Sequence, residues 1–399
     1  MTPSNSSSSS DSEQRFENQR ERFAEAFDRE IDPLAEYSET FEQLPDPFRY
    51  YLERVIANRD QISKDGTIED YERTYRQFQS YMQTTDRHPA CPTVQQVKNY
   101  IGWRRDVHNN APSTIKIKFG RLKGAYEYWQ MESVFPHPPD YNPFAIAMEE
   151  ASLGEEDGKP FPELTLDEVR QEFNSISNIR HRAVVGIQLK CGLRAGEVSN
   201  LQLQDIHLAH SDLQSCYPQL GTHEALGDYE NVIYVSPNRE GNKSSVPRLV
   251  PIDQELFWLL LTHLLLRPQV DRPWVFLTER GFGQMGYTAI NRPWTRAFQP
   301  KYAETESTRA ITSHFGRHWF SSHFRLEAEF PREHVQYMRG DRIEPEDEFA
   351  GAIDDYLHPH YEHIETAYRN DVFQLGVSPT SHERKEEAHG LPWEEPDNS

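Results

Sequence analysis

The sequence predicts a mainly α protein with a small β-hairpin (α+β), in two domains, and three observations carry that prediction. Apolar residues recur at helical spacing behind capping signals through residues 46–150. Only one pair of short apolar runs, 232–235 and 247–252, reads as strands joined in a hairpin. A polar, turn-rich stretch, 153–162, stands between the two halves. At 399 residues the chain is long enough for two cores plus tails. The expected division is a disordered start and amphipathic helix over 1–45, a helical domain over 46–150, a linker over 151–162, a second domain over 163–376 and a disordered acidic tail over 377–399.

Composition narrows the class. No apolar run approaches the roughly 18 residues of a membrane span, and the Ser-rich start is not a signal peptide, so a cytoplasmic protein without membrane contact is expected. Cys91, Cys191 and Cys216 are far apart and lack metal-ligand spacing, which reads as three reduced, structural thiols. The net charge of -22 is unevenly spread: -7 over residues 1–45, 0 over 46–150, -11 over 151–376 and -4 over 377–399. Between Lys98 and Lys123 stand seven basic residues against Asp106 alone, a basic island in an acidic chain. Only 10 of the 42 basic residues are lysine, and the acid excess fills every other region, which reads as the hydrated surface of a halophile's protein. An ordinary acidic protein that repels stray nucleic acid is the plainer alternative.

In order, Phe16, Phe23, Phe27 and Ile31 suit an amphipathic helix. Thr67 with Asp70 forms a capping box before Ile68, Tyr71, Tyr75, Phe78 and Met82. Thr93 caps a second helix carrying Val94, Val97, Tyr100 and Ile101, and Ser113 caps a third, whose stripe Ile115, Phe119, Leu122, Tyr126 and Trp129 is core. The opposite side of that third helix carries Lys116 and Lys123, with Lys118 and Arg121 nearby. Together with Lys98, Arg104 and Arg105 they read as a DNA-backbone face, the alternative being an ordinary solvated face. The 153–162 linker would let the two domains close around a duplex. Thr165 and Glu168 make a further capping box, and the apolar helix through Leu189 ends at Gly192. Residues 208–228 form an irregular insert, Val275-Phe276-Leu277 reads as a short strand, and no internal repeat is present.

Four clusters carry chemistry. Ser313-His314-Phe315-Gly316-Arg317-His318 reads as a phosphate clamp, and Asp354-Asp355-Tyr356-Leu357-His358 supplies a nucleophile. Upstream, Gly192-Leu193-Arg194-Ala195-Gly196-Glu197 places a second arginine at a helix start, and Gly241-Asn242-Lys243 puts a lysine at the hairpin tip. A phosphodiester is shielded by its non-bridging oxygens, so attack requires positive charge where negative charge grows. Arg194 and Arg317 can each offer a fork of donors, with His314 one helical turn before Arg317 on the same phosphate. Glu197 would hold the arginine's geometry.

Over about 160 residues, this order of arginine, lysine, histidine, arginine and tyrosine resembles the tyrosine recombinases, the phage integrase family, particularly those of halophilic archaea and their viruses. The resemblance runs from about Pro47 to Val377 and includes the Tyr141-Asn142-Pro143-Phe144 exit from the helical domain. It implies a helical SAM-like core-binding domain followed by a catalytic domain, cutting double-stranded DNA and rejoining it through a 3'-phosphotyrosine link. No cofactor and no metal are implied. Lys243 becomes the general acid for the leaving 5' oxygen, and Tyr356, followed by His358, the nucleophile; Tyr361 and Tyr368 are left as packing residues. Metal binding by His358, His360 and His363 is the minority alternative. The expected partner is duplex DNA, bound by a homotetramer on two sites, with an accessory DNA-bending or directionality protein. One departure stands out: the family's Gly-His pair is replaced by Gly340-Asp341, with about six extra residues before Tyr356. Asp341 would repel a phosphate unless an arginine such as Arg342 pairs it, and otherwise it orients an arginine or the tyrosine hydroxyl. The rival functions are a DNA-binding regulator that has lost catalysis, a type IB topoisomerase and a metal-dependent nuclease.

Overall fold

The computed structural model describes residues 32–41, 43, 46–58, 64–151, 153, 158–237, 239, 241–244, 246–341 and 354–378, with 19, 22 and 26; residues 36, 64–66 and 354–359 are described by backbone alone. The helix expected from Phe16, Phe23, Phe27 and Ile31 and the acidic stretch beyond Ser378 lie outside these residues. The chain divides into two compact units, Met1–Gly158 and Lys159–Ser399.

The first unit is helical, built on Pro47–Tyr51, Lys64–Met82, Val94–Asp106, Pro112–Met131 and Pro143–Glu150. The apolar stripe of the Pro112–Met131 helix is its centre: Ile115, Phe119, Leu122, Tyr126 and Trp129 are all fully buried. The Trp129 indole stands edge-on to Phe48, with ring centres 4.8 Å apart, and donates to the Pro47 carbonyl at 3.0 Å. A tryptophan that finds both apolar contact and an acceptor costs nothing in unsatisfied polarity. Thr93 closes a capping box with Gln96, as its sequence suggests. Two other caps differ. The Lys64–Met82 helix begins three residues before Thr67, and Asp70 is taken by Arg73 and Arg121. The Pro112–Met131 helix starts at Pro112 after Ala111, so Ser113 lies inside it; proline's fixed φ suits the first helical position.

In the second unit the Ile179–Cys191 helix is covered on every side: residues 183–191 are all buried. Such a helix reads as an apolar run without a polar face. It ends at Gly192, which has φ +63°, and a Cβ there would meet the Phe320 ring at 2.7 Å, so both backbone and space demand glycine. Strands β1 (Ile206–His207), β2 (Val232–Val235) and β3 (Arg248–Pro251) form one antiparallel sheet in that order, with Ile233 opposite Val250 and Tyr234 opposite Leu249. The hairpin is where the sequence put it. Its two-residue neighbour β1 is too short to leave a pattern. Val275-Phe276-Leu277 is not a strand; only isolated bridges, Gln202 to Trp274 and Leu277 to Gln284, flank it.

The Asp354–Asp371 helix packs Tyr361 against β2 and β3 and sets Ile364 and Tyr368 among Phe320, Phe324 and Met338. Tyr368 donates its hydroxyl to the Lys190 carbonyl at 2.6 Å. After it, Leu375 and Val377 donate backbone N–H groups to Glu255, at 2.5 and 2.7 Å. Lys190 is fully buried, 2.6 Å from Asp253 and 2.9 Å from Glu255, which neutralises those acids and fixes the segment after the helix. No helix among the described residues is long and apolar enough to cross a membrane.

Candidate active site

Two arginines from distant elements meet on one carboxylate. Arg194 is the N-cap residue of Ala195–Asn200, with extended backbone, and its N–H donates to Glu197 Oε2 at 2.8 Å. Its Nη1 lies 3.4 Å from Glu197 Oε1, while Nη2 donates to Asp341 Oδ1 at 3.0 Å. Arg317, on the Ser313–Ser322 helix, donates through Nη1 to the carbonyls of Gly192 at 3.0 Å and Arg339 at 2.9 Å, and through Nη2 to the same Asp341 Oδ1 at 2.7 Å. Arg339 Nε lies 2.8 Å from Asp341 Oδ2. The partner sequence reasoning offered for Asp341, Arg342, lies outside the described residues; three other arginines surround the carboxylate.

Glu197 is fixed from below by Arg248. Both side chains are fully buried, with Arg248 Nη2 2.8 Å from Oε2, and Arg248 Nε donates to the Met338 carbonyl at 2.8 Å. Burial opposes the Glu197 charge, but Arg248, the Arg194 N–H and the Arg194 guanidinium outweigh it and hold the carboxyl below its usual range. Sequence reasoning missed Arg248 and Arg339. A charged residue inside the otherwise apolar run 247–252 was the available signal for Arg248; Arg339 left none.

His314 lies one turn before Arg317 on the exposed side of its helix, 6.0 Å from the Phe161 ring centre to centre. Burial, then Arg317, Arg309, His318 and Arg194, lower its pKa, so the ring is neutral at pH 7. Burial, then Arg194, likewise pushes Arg317 down to about 9, which leaves it protonated. His314, Arg317, His318, Ser321, Ser322, Arg325, Leu326 and Arg339 line a cleft of about 350 Å³ without a single carboxylate. A larger cavity, about 670 Å³, is lined by Glu230, Asp253 and Glu365 together with His207, His210 and Arg369, and its acids are largely paired, Asp253 with Lys190 and Glu365 with Arg369.

Lys243 is exposed in the β2–β3 loop, and that loop is strapped down. Asn200 donates to Asn242 Oδ1 at 2.9 Å, Asn242 donates to the Ser236 carbonyl at 2.6 Å, and Gln284 donates to Asn200 Oδ1 at 2.7 Å. Arg239 reaches Asp205 and the Asn200 carbonyl. Buried Ser244 donates to the Gly340 carbonyl at 2.8 Å, which ties the lysine's loop to the residue before Asp341. Tyr356 lies on the Asp354–Asp371 helix, with its side chain outside the described residues; Tyr361 and Tyr368 are fully buried.

In the first unit, Lys116 and Lys123 are exposed on the Pro112–Met131 helix, Lys123 beside Glu127. Lys118 donates to Gln77 at 2.7 Å; burial, then the repulsion of Arg104, Arg73 and Arg121, pushes it down to about 8. Lys98 pairs with Glu150, and Arg105 with Asp106 at 2.7 Å. Arg121 donates to the Asp70 carbonyl and lies over the Tyr71 ring. Arg104 is buried, donating to Asn110 at 2.9 Å, so in this fold it supports the face from behind instead of lying on it.

A converging pair of guanidinium groups beside a cationic cleft, on a helical fold with a small antiparallel sheet, suits the binding of a phosphate's oxygens. The pattern of the phage integrase family matches residues 162–341. The chain is similar to the tyrosine recombinases XerD of Listeria innocua and Listeria monocytogenes, 23% identical over 273 residues, covering 65% of this chain and 78% of each relative. Its fold is shared with the Tn1549 transposon integrase in complex with transposon right end DNA (TM-score 0.53, 18% identity, 80% of this chain and 99% of that one). It is also shared with a lambda integrase tetramer bound to a Holliday junction (TM-score 0.53, 13% identity, 76% and 79%).

Proposed function

We propose that this protein is a tyrosine recombinase that cuts and rejoins DNA at specific sites through Tyr356. The phenol oxygen attacks the scissile phosphorus and loses its proton, a 3'-phosphotyrosine ester forms, and the 5' oxygen leaves with a proton from Lys243. Attack by an incoming 5' hydroxyl reverses the step and releases the tyrosine. Because the ester conserves the bond, neither ATP nor metal is consumed. Arg194 and Arg317 hold the non-bridging oxygens, and neutral His314 takes the phenol proton or donates its ring N–H. The observation that carries this reading is the meeting of both arginines on one oxygen beside a cleft free of acids. Burial of Tyr361 and Tyr368 leaves Tyr356 as the candidate nucleophile on its helix.

Double-stranded DNA is the partner, with the Lys116, Lys118 and Lys123 region of the helical unit contacting the backbone. Likeness to the lambda integrase tetramer supports a homotetramer on two sites, and an accessory DNA-bending protein would set direction. The excess of 64 acids over 42 basic residues supports a cytoplasm rich in salt. The test is strand exchange between DNA segments flanking the protein's own gene, in EDTA and without ATP. Exchange that Arg194→Ala reduces at least a thousandfold is expected. Binding without cleavage would replace the reading by a regulator, and relaxation of any supercoiled plasmid without site preference by a topoisomerase.

A further inference from the structure

We propose that Asp341 is an internal stand-in for the scissile phosphate: in the free protein its carboxylate fills the anion position between Arg194 and Arg317, and DNA engages those arginines by displacing it. This rests on the reading of both arginines as phosphate ligands. A carboxylate and a phosphodiester each spread one negative charge over two oxygens a short span apart, so a site built for one accepts the other. Asp341 Oδ1 receives Nη2 of Arg194 at 3.0 Å and Nη2 of Arg317 at 2.7 Å, the contacts a non-bridging oxygen would make.

The remaining contacts of each arginine show what moves and what stays. Arg317 Nη1 is held by the carbonyls of Gly192 and Arg339, and Arg194 is held by Glu197, itself buried and locked by Arg248. When Asp341 leaves, only the two Nη2 groups change partner, and neither guanidinium must reorient. The two acids touching Arg194 are therefore unlike. Glu197 is sealed, with a fully buried side chain, whereas the Asp341 side chain is 26% exposed and can swing into water. Arg339, on Oδ2, keeps a cation beside the displaced carboxylate. Until DNA arrives, Asp341 keeps stray anions off a strongly positive pair, and bound phosphate must outcompete it.

The probe is inorganic phosphate at constant ionic strength, titrated against the full-length protein by calorimetry and by thermal shift. Asp341→Asn is expected to bind phosphate at least tenfold more tightly than wild type and to gain more in melting temperature from it, and Arg194→Gln in that background to abolish the gain. Asp341→Ser carries the same expectation should the asparagine variant fail to fold. If Asp341 instead orients the arginines while phosphate is bound, Asp341→Asn binds phosphate no better than wild type while Arg194→Gln still weakens it; that result overturns the stand-in and leaves the phosphate reading intact. If Arg194→Gln changes phosphate binding in neither background, both fall.

Discussion

Glu197 keeps a charge where burial alone would remove it, and that single fact organises the residues of the site. Arg248 supplies the compensating charge from β3, and the ionised carboxylate then fixes the Arg194 backbone and guanidinium at once. Removing one member of a buried pair leaves the other uncompensated, which typically costs about 3–5 kcal/mol. Arg248→Met is therefore expected to lower unfolding stability by about that much in denaturant titration, whereas Arg248→Met with Glu197→Leu recovers most of it. A single variant no less stable than wild type would show that the pair is not the keystone. Arg194, His314, Arg317 and Lys243 stand out in the sequence because their chemistry sits in short local strings. Arg248 does not, since its partner Glu197 lies 51 residues away, and Arg339, although its partner Asp341 is only two residues on, belongs to none of those strings. Asp341 was visible as a departure, yet its neighbours were not: Arg194 is 147 residues distant in the chain.

At the scale of elements, the hairpin loop that carries Lys243 is latched to its surroundings. Gly196 allows the loop to sit on the Ala195–Asn200 helix, for a Cβ there would lie 2.6 Å from the Gly241 carbonyl oxygen. Asn200 and Asn242 complete the latch. Asn242→Ala is expected to slow cleavage tenfold or more on ordinary DNA, and much less on DNA whose leaving oxygen is replaced by sulfur, which departs without needing a proton. Lys243→Ala should show the same rescue. Slowing of Asn242→Ala that sulfur does not relieve would mean the latch serves folding alone. Helices and the hairpin were legible because periodicity and turn residues are local signals. Boundaries were less so: Pro112 outcompetes Ser113 for the helix start, and the fully buried Val275-Phe276-Leu277 run pairs only through isolated bridges. An apolar run records burial, which strands and packed loops share.

At the scale of the whole molecule, each unit carries a histidine buried in neutral form. His137 donates to the Ala90 carbonyl in the first unit and His263 to the Val275 carbonyl in the second, and burial lowers both to about 4. Between pH 6.5 and 4 the unfolded chain binds these protons and the folded one does not, so stability is full above 6.5 and falls as acid is added. Each histidine contributes roughly 3 kcal/mol to that loss. His263→Phe is expected to flatten the decline for the second unit in urea titrations at pH 7 and pH 4.5; an equal slope in the variant would contradict the assignment.

The central claim is covalent chemistry at Tyr356, and covalent trapping tests it most directly. Wild type and Tyr356→Phe are each mixed, in EDTA and at moderate and high salt, with nicked duplexes drawn from DNA flanking the gene, then run on denaturing gels. A DNA-linked protein band in the wild type that vanishes in Tyr356→Phe is the predicted result. A band that survives the substitution would place the nucleophile on another residue, and binding without any band in either protein would contradict strand transfer itself.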